Sequence, residues 1–257
     1  MKSILLAAPP GMCEAAAAYG CRVAHLAYQL DDQGRLIRPE MPRTRKGSLM
    51  AICHSGAQAP EIDRTAFLTQ ITRECSARGF SGVICDFEGE YSPVLGPVCK
   101  YLSSELAARG IRFCVPENYA HAVIPPTNII ISSAISGGSL RQRLSEAVQR
   151  YGADRIVLEC ERNCEDFTLP ANSGSGKRMS VSELDSLFSR LMPVPYFSSD
   201  LCTYYFTYRD KNNCSHFVLF DNASSIRRKL STASDVGINT AILVYPEIQE
   251  IVRDILL

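Results

Sequence analysis

The chain has 257 residues, 46% of them hydrophobic, with 27 Lys+Arg against 27 Asp+Glu. A net charge of zero argues against a dedicated nucleic-acid binder, which carries a basic excess to neutralise phosphates, and no apolar run is long enough to span a bilayer. The length suits one (β/α)8 barrel, for which about 250 residues is typical.

The chain opens on Met1-Lys2-Ser3-Ile4-Leu5-Leu6-Ala7-Ala8-Pro9-Pro10. This apolar stretch is short and Pro-Pro interrupts it, so it reads as a first strand, Ser3–Ala7, and not as an export signal. Further strands are expected at Arg22–Tyr28, Ser48–Cys53, Gly82–Phe87, Arg112–Pro116, Asn128–Ser133, Arg155–Cys160 and Asn239–Tyr245. Runs with helical period separate several of them, at Arg64–Arg78, Val98–Ala108, Leu140–Tyr151 and Ser224–Val236. Gly79, Gly110 and Gly237 stand just past three of these runs, where a glycine stops a helix. Eight strands alternating with helices predict a parallel sheet closed as a barrel. The alternative, an open nucleotide-binding sheet, lacks its Gly-rich turn after the first strand.

The alternation breaks from about residue 161 to 222. There a polar loop, Asn172 to Gly176, precedes a short helix near Ser182–Leu191. Two β-rich runs follow, Leu201–Tyr208 and His216–Phe220. The expectation is one barrel domain over 1–257 with a hairpin-containing insertion between strands seven and eight, placed to wall a cleft. Gly174-Ser175-Gly176-Lys177-Arg178 fails as a phosphate loop, because Ala171 and Arg178 replace its first glycine and its Ser/Thr. Glu159-Cys160-Glu161 with Cys164 has no familiar metal spacing, so neither metal nor cofactor is expected. The eleven cysteines lie mostly in apolar runs with no Cys-x-x-Cys pair. They read as reduced thiols of a cytoplasmic protein.

The most informative segment is Gly79-Phe80-Ser81-Gly82-Val83-Ile84-Cys85-Asp86-Phe87-Glu88. Side chains of a strand alternate between faces. Val83, Cys85 and Phe87 form an apolar face toward helices, and Gly82, Ile84, Asp86 and Glu88 face the interior. Carboxylates pointing into a barrel are costly unless paired or functional. Two of them at the C-terminal end of a strand raise one another's proton affinity, which suits acid catalysis.

This segment resembles the Asp-Gly-x-Asp-x-Asp-x-Glu strand of family-18 glycoside hydrolases. Val23 to Gly34, Ala51 to Gly56, and Phe220 to Lys229 with Gly237 to Tyr245 resemble that family's second strand, third strand, and last helix and strand. The resemblance implies a chitinase-like barrel in which Glu88 protonates the leaving glycosidic oxygen. Asp86 would orient the substrate acetamido group, whose own oxygen attacks the sugar in that family. It also implies that Tyr245 floors the sugar site in place of the usual Trp. His54 and Tyr28, at strand ends, and Glu117 and Glu159 are the further substrate-binding candidates. Ser81 and Ile84 replace two aspartates of the motif, and Ile131-Ser132-Ser133-Ala134 lacks the tyrosine expected on the sixth strand. The expected function is hydrolysis of N-acetylglucosamine-containing glycans, peptidoglycan or chitin-like. The alternatives are a catalytically inactive carbohydrate-binding barrel and a hydrolase of another class in which Glu117 or Glu159 joins Glu88 as a two-carboxylate pair. The expected partner is an oligosaccharide, with neither nucleic acid nor membrane.

Overall fold

Eight strands pair side by side in parallel and return to the first, in a computed structural model that describes residues 1–31, 33–38, 44–54, 61–87, 89–171 and 176–257. They are β1 (Ser3–Ala8), β2 (Arg22–Leu30), β4 (Leu49–His54), β5 (Gly82–Phe87), β6 (Arg112–Pro116), β7 (Asn128–Ser132), β8 (Ile156–Glu159) and β14 (Thr240–Val244). The ring runs β1-β14-β8-β7-β6-β5-β4-β2 and closes by pairing of β2 with β1. The short β3 (Leu36–Ile37) lies antiparallel on β2. This is the expected (β/α)8 barrel, with strand limits within two residues of those read from the sequence.

The helices are α1 (Cys13–Ala17), α2 (Arg64–Arg78), α3 (Leu95–Ala108), α4 (Leu140–Tyr151), α5 (Val181–Leu191), α6 (Ala223–Asp235), α7 (Tyr245–Ile248) and α8 (Val252–Leu256). Helix α2 starts where the Asp63 carboxylate accepts from the Thr65 and Ala66 amides at 3.0 and 3.1 Å. It stops at Gly79, whose φ of 72° allows its amide to close on the Cys75 carbonyl. Both are the side-chain and backbone devices by which orphan helix-end groups are satisfied.

Alternation along each strand divides the core in two. Leu5, Ala7, Ala24, Leu49, Ala51, Ile84, Cys114, Ile130, Val157 and Ile242 fill the barrel. Val83, Cys85, Phe87, Ile129, Ile131, Leu158, Ala241 and Leu243 belong to the larger layer between strands and helices. Small interior residues such as Ala7, Ala24 and Ala51 leave room toward the C-terminal ends of the strands. Seven of the eleven cysteines are buried, and all eleven are free thiols.

Between β8 and α6 the insertion builds more than a hairpin. Strands β9 (Cys164–Thr168), β10 (Lys177–Arg178), β11 (Tyr196–Ser198), β12 (Thr203–Arg209) and β13 (Ser215–Phe220) form an antiparallel sheet in the order β10-β9-β13-β12-β11. Phe188 of α5 packs edge-on to Phe206 and Phe220, with ring centroids 5.2 and 5.3 Å apart. Tyr204 stacks on Phe220 and Tyr205 lies on Phe217. These aromatic residues of the hairpin therefore serve its own packing. The polar loop 172–175 lies outside the described residues.

Candidate active site at the barrel mouth

A cavity of about 450 Å3 opens at the C-terminal ends of the strands. Its floor is the apolar interior layer: Ala7, Ala24, Ala51, Ile84, Ile130 and Ile242. Its polar wall is Asp86, Glu117, Asn118, Ser132, Arg143 and Glu159. This is the face on which barrel loops assemble active sites.

Asp86 enters from β5 with the parity expected, one step beyond Ile84 on the interior face. Its Cα partner on β4 is Cys53, whose thiol donates to Asp86 Oδ2 at 3.7 Å. Glu88, the expected acid, lies outside the described residues, as do Ser55 and Gly56 of the third-strand motif.

Glu159 ends β8, in register with Ser132 of β7 and Ile242 of β14. Burial, and then the neighbouring carboxylates Glu161, Asp86 and Glu247, raise its proton affinity from an ordinary 4.5 to about 7. Among the described residues none donates a hydrogen bond to the Glu159 carboxyl. Its neighbours are held by other groups. Ser132 Oγ donates to Glu161 Oε1 at 2.5 Å, Arg143 Nη2 meets Glu117 Oε2 at 2.8 Å, and Arg178 pairs with Glu247.

Arg143, Asn118 and Ser132 were not singled out in the sequence. Arg143 stands in the first turn of α4, where the loop after β7 delivers it to the mouth. It also lines a second cavity, of about 700 Å3, walled by Phe167, Leu169 and Phe217 of the insertion. Asn118 follows β6 and donates to the Gly89 carbonyl at 2.9 Å. No sequence motif marks these three; they become visible only once loops after successive strands are known to share one face.

Three expected sugar contacts do not reach the cavity. Tyr28 is fully buried on the helix side of the barrel, where its hydroxyl donates to Glu74 Oε2 of α2 at 2.8 Å. An irregularity in the β2–β4 register between Leu26 and Tyr28 turns it outward. His54 is 7% exposed and lies edge-on to Phe87 at 6.4 Å, because Leu49, Ala51 and Cys53 take the inward positions of β4. Tyr245 follows the outward residues Ala241 and Leu243 and packs on Tyr19 with ring centroids 6.1 Å apart. Val244 takes its place at the cavity wall. Glu117 and Glu159 do line the cavity, together with Asp86.

Among the described residues no cluster of three or more His, Cys, Asp or Glu is arranged to hold a metal ion. No described helix is long and apolar enough to cross a membrane.

No protein-family model and no curated relative matches the sequence. Solved structures do match it. The spore cortex-lytic enzyme SleL of Bacillus megaterium QM B1551 superposes with a TM-score of 0.70 at 16% identity, over 94% of this chain and 70% of that one. A class V chitinase from Pseudomonas fluorescens Pf-5 gives 0.70 at 13% identity over 100% of both chains. The family GH18 chitinase of Cycas revoluta, solved in complex with allosamidin, gives 0.67 at 13% identity over 98% of each. Identities this low speak for the backbone alone: this chain has the closed (β/α)8 barrel fold that the family-18 chitinases and the cortex-lytic enzymes share.

Proposed function

We propose that this chain is a glycoside hydrolase acting on N-acetylglucosamine-containing glycans, peptidoglycan or chitin-like, with Glu88 as general acid and Asp86 as its partner. The observation that carries the reading is Asp86 itself. It projects from the interior face of β5 into a cavity walled by further carboxylates at the C-terminal ends of the strands. A half-buried carboxylate lining a cavity at that end of a barrel strand stands where barrel active sites are built. The fold shared with glycan-acting enzymes supports the same class, as analogy only.

A second reading is a carbohydrate-binding barrel without turnover. It is favoured by Ile84, which is 5% exposed in the apolar interior layer at a position where the resemblance expects an aspartate. Fluorogenic β-N-acetylglucosaminide oligomers distinguish the two. Turnover in the parent that falls by about 100-fold or more in Glu88→Gln establishes the hydrolase and its acid. Saccharide binding by calorimetry, without turnover, establishes the binding protein.

A further inference from the structure

The glycan reading leaves two polymers open, and they differ by one substituent. On alternate sugars a peptidoglycan strand carries a lactyl ether, with a methyl and a carboxyl group on one carbon, where chitin carries a hydroxyl. The second cavity, between the loop after β7 and the insertion sheet, has the composition to tell them apart. Arg143 lines both that cavity and the mouth.

The mouth is acidic, with Asp86, Glu117 and Glu159 beside Arg143. Among the described residues of the second cavity there is no carboxylate, and Arg143 is the one charged group. The other walls are Ile135, Phe167, Leu169 and Phe217, with Ser136 among them. The aromatic wall is fixed by its own packing. The Phe167 and Phe217 ring centroids are 6.5 Å apart, Tyr205 lies 5.2 Å from Phe217, and Leu201 and Leu219 pack with them. Leu169 is 42% exposed, so the apolar wall reaches solvent.

Two acceptors hold the Arg143 guanidinium. Its Nη2 donates to Glu117 Oε2 at 2.8 Å and its Nε to the Ser132 carbonyl at 3.5 Å. Its Nη1 makes no hydrogen bond among the described residues, and the side chain is 39% exposed. A held guanidinium with a donor to spare is suited to recognise a carboxylate.

We propose that the second cavity binds the lactyl group of a muramic acid residue, with its carboxylate on Arg143 and its methyl against the apolar wall, so that the site selects peptidoglycan strands over chitin. This rests on the glycan reading above and deepens it, and it holds equally for a hydrolase and for a binding barrel. The methyl leaves water at Ile135, Leu169 and the two rings. The carboxylate gains a charge-assisted hydrogen bond. The carboxylates of the mouth repel it, and that repulsion sets the register: the lactyl-bearing sugar lies in the second cavity and its unsubstituted neighbour at the mouth.

A place in a reaction sequence follows. In intact peptidoglycan the lactyl carboxyl is bound as an amide to the peptide stem and carries no charge. The free carboxylate that Arg143 reads exists only after that amide has been hydrolysed. The reaction class that supplies this substrate is therefore amide hydrolysis, and the chain acts on strands from which the peptide has been removed.

The test is calorimetric and uses S-linked tetrasaccharides, which resist glycosidic hydrolysis. One alternates N-acetylglucosamine with N-acetylmuramic acid as the free lactyl acid. The next is the same oligomer with each lactyl carboxyl capped as its methylamide, and the last is the chitin tetrasaccharide. The free acid should bind about tenfold more tightly than either of the others, and added salt should shrink the difference. Arg143→Gln should bring all of them to within about twofold of one another, with Arg143→Lys falling between. A free acid that binds no better than its methylamide or than chitin overturns the inference and leaves the glycan reading standing. So does a preference that survives undiminished in a folded Arg143→Gln protein. Binding of none of the oligomers overturns both. The comparison of acid with methylamide is made on the parent, so it stands even where a variant does not fold.

Discussion

Two acidic residues in this molecule are shielded from bulk water, one fully and one in part, under opposite conditions. Asp221, at the end of the insertion, is encased. Lys229 Nζ lies 2.5 Å from its Oδ2, and both side chains are 0% exposed. The Asn163 amide donates at 2.8 Å, Thr203 Oγ1 at 2.8 Å and Ser225 Oγ at 2.7 Å. Every lone pair of that carboxylate faces a donor, and the donors come from the insertion, from α6 and from the segment leaving β8. Glu159, at the mouth, has like charges for neighbours and no described donor. The contrast separates a carboxylate that fixes a joint from one whose environment is left open for chemistry.

The largest effect lies at the joint. Lys229→Met leaves the Asp221 charge buried without its cation and should cost about 3–5 kcal/mol in denaturant unfolding. Replacing both partners by apolar residues should cost much less.

The second effect has the opposite sign. Folding raises the proton affinity of Glu159 from its ordinary 4.5 to about 7, so between those values the folded chain holds more protons than the unfolded one. Stability therefore falls as pH rises across that window. The penalty is absent below it and amounts to about 3 kcal/mol above it. Glu159→Gln should flatten that dependence on pH and leave the variant more stable than the parent at pH 8. Equal unfolding free energies from denaturant titrations at pH 5 and pH 8 would place the carboxylate in a wetter setting than its packing indicates.

The smallest effect concerns a residue that the sequence recommended and the packing does not. Tyr245 touches Tyr19 in the helix layer. Tyr245→Phe should leave saccharide affinity unchanged in calorimetry and cost under about 1 kcal/mol of stability.

The barrel was legible because its strands are short apolar runs cut by helical period and glycine stops, and those signals are local. The inward aim of Asp86 was legible for the same reason: alternation counted from Gly82 holds through β5 without a break. Counting the same way would have turned His54 and Tyr245 outward, since Leu49, Ala51 and Cys53 and then Ile242 and Val244 take the inner positions. Nearness to a strand end drew attention to those two where parity should have decided. Tyr28 is different. Strict alternation places it inside, and only the irregularity after Leu26 sends it to Glu74, a backbone detail that no residue type in that stretch announces. Arg143 and the Ser132–Glu161 bond lie beyond sequence reasoning, because they depend on where α4 and the loop after β8 settle around the ring. The insertion was seen as a hairpin because β12 and β13 carry strong β residues. Its remaining strands are two to five residues long and are recruited by pairing with that hairpin.

The closure of the ring has a consequence for how the chain is made. The strand Ser3–Ala8 finds one neighbour almost at once, in β2, but its other edge pairs with Thr240–Val244. On a ribosome β1 waits for β14, with its backbone amides and carbonyls on that edge unsatisfied until residues 240–244 have emerged. Assembly of this molecule is thus gated at the C-terminal strand, and a nascent chain stalled before residue 240 would be an open, sticky sheet that draws chaperones.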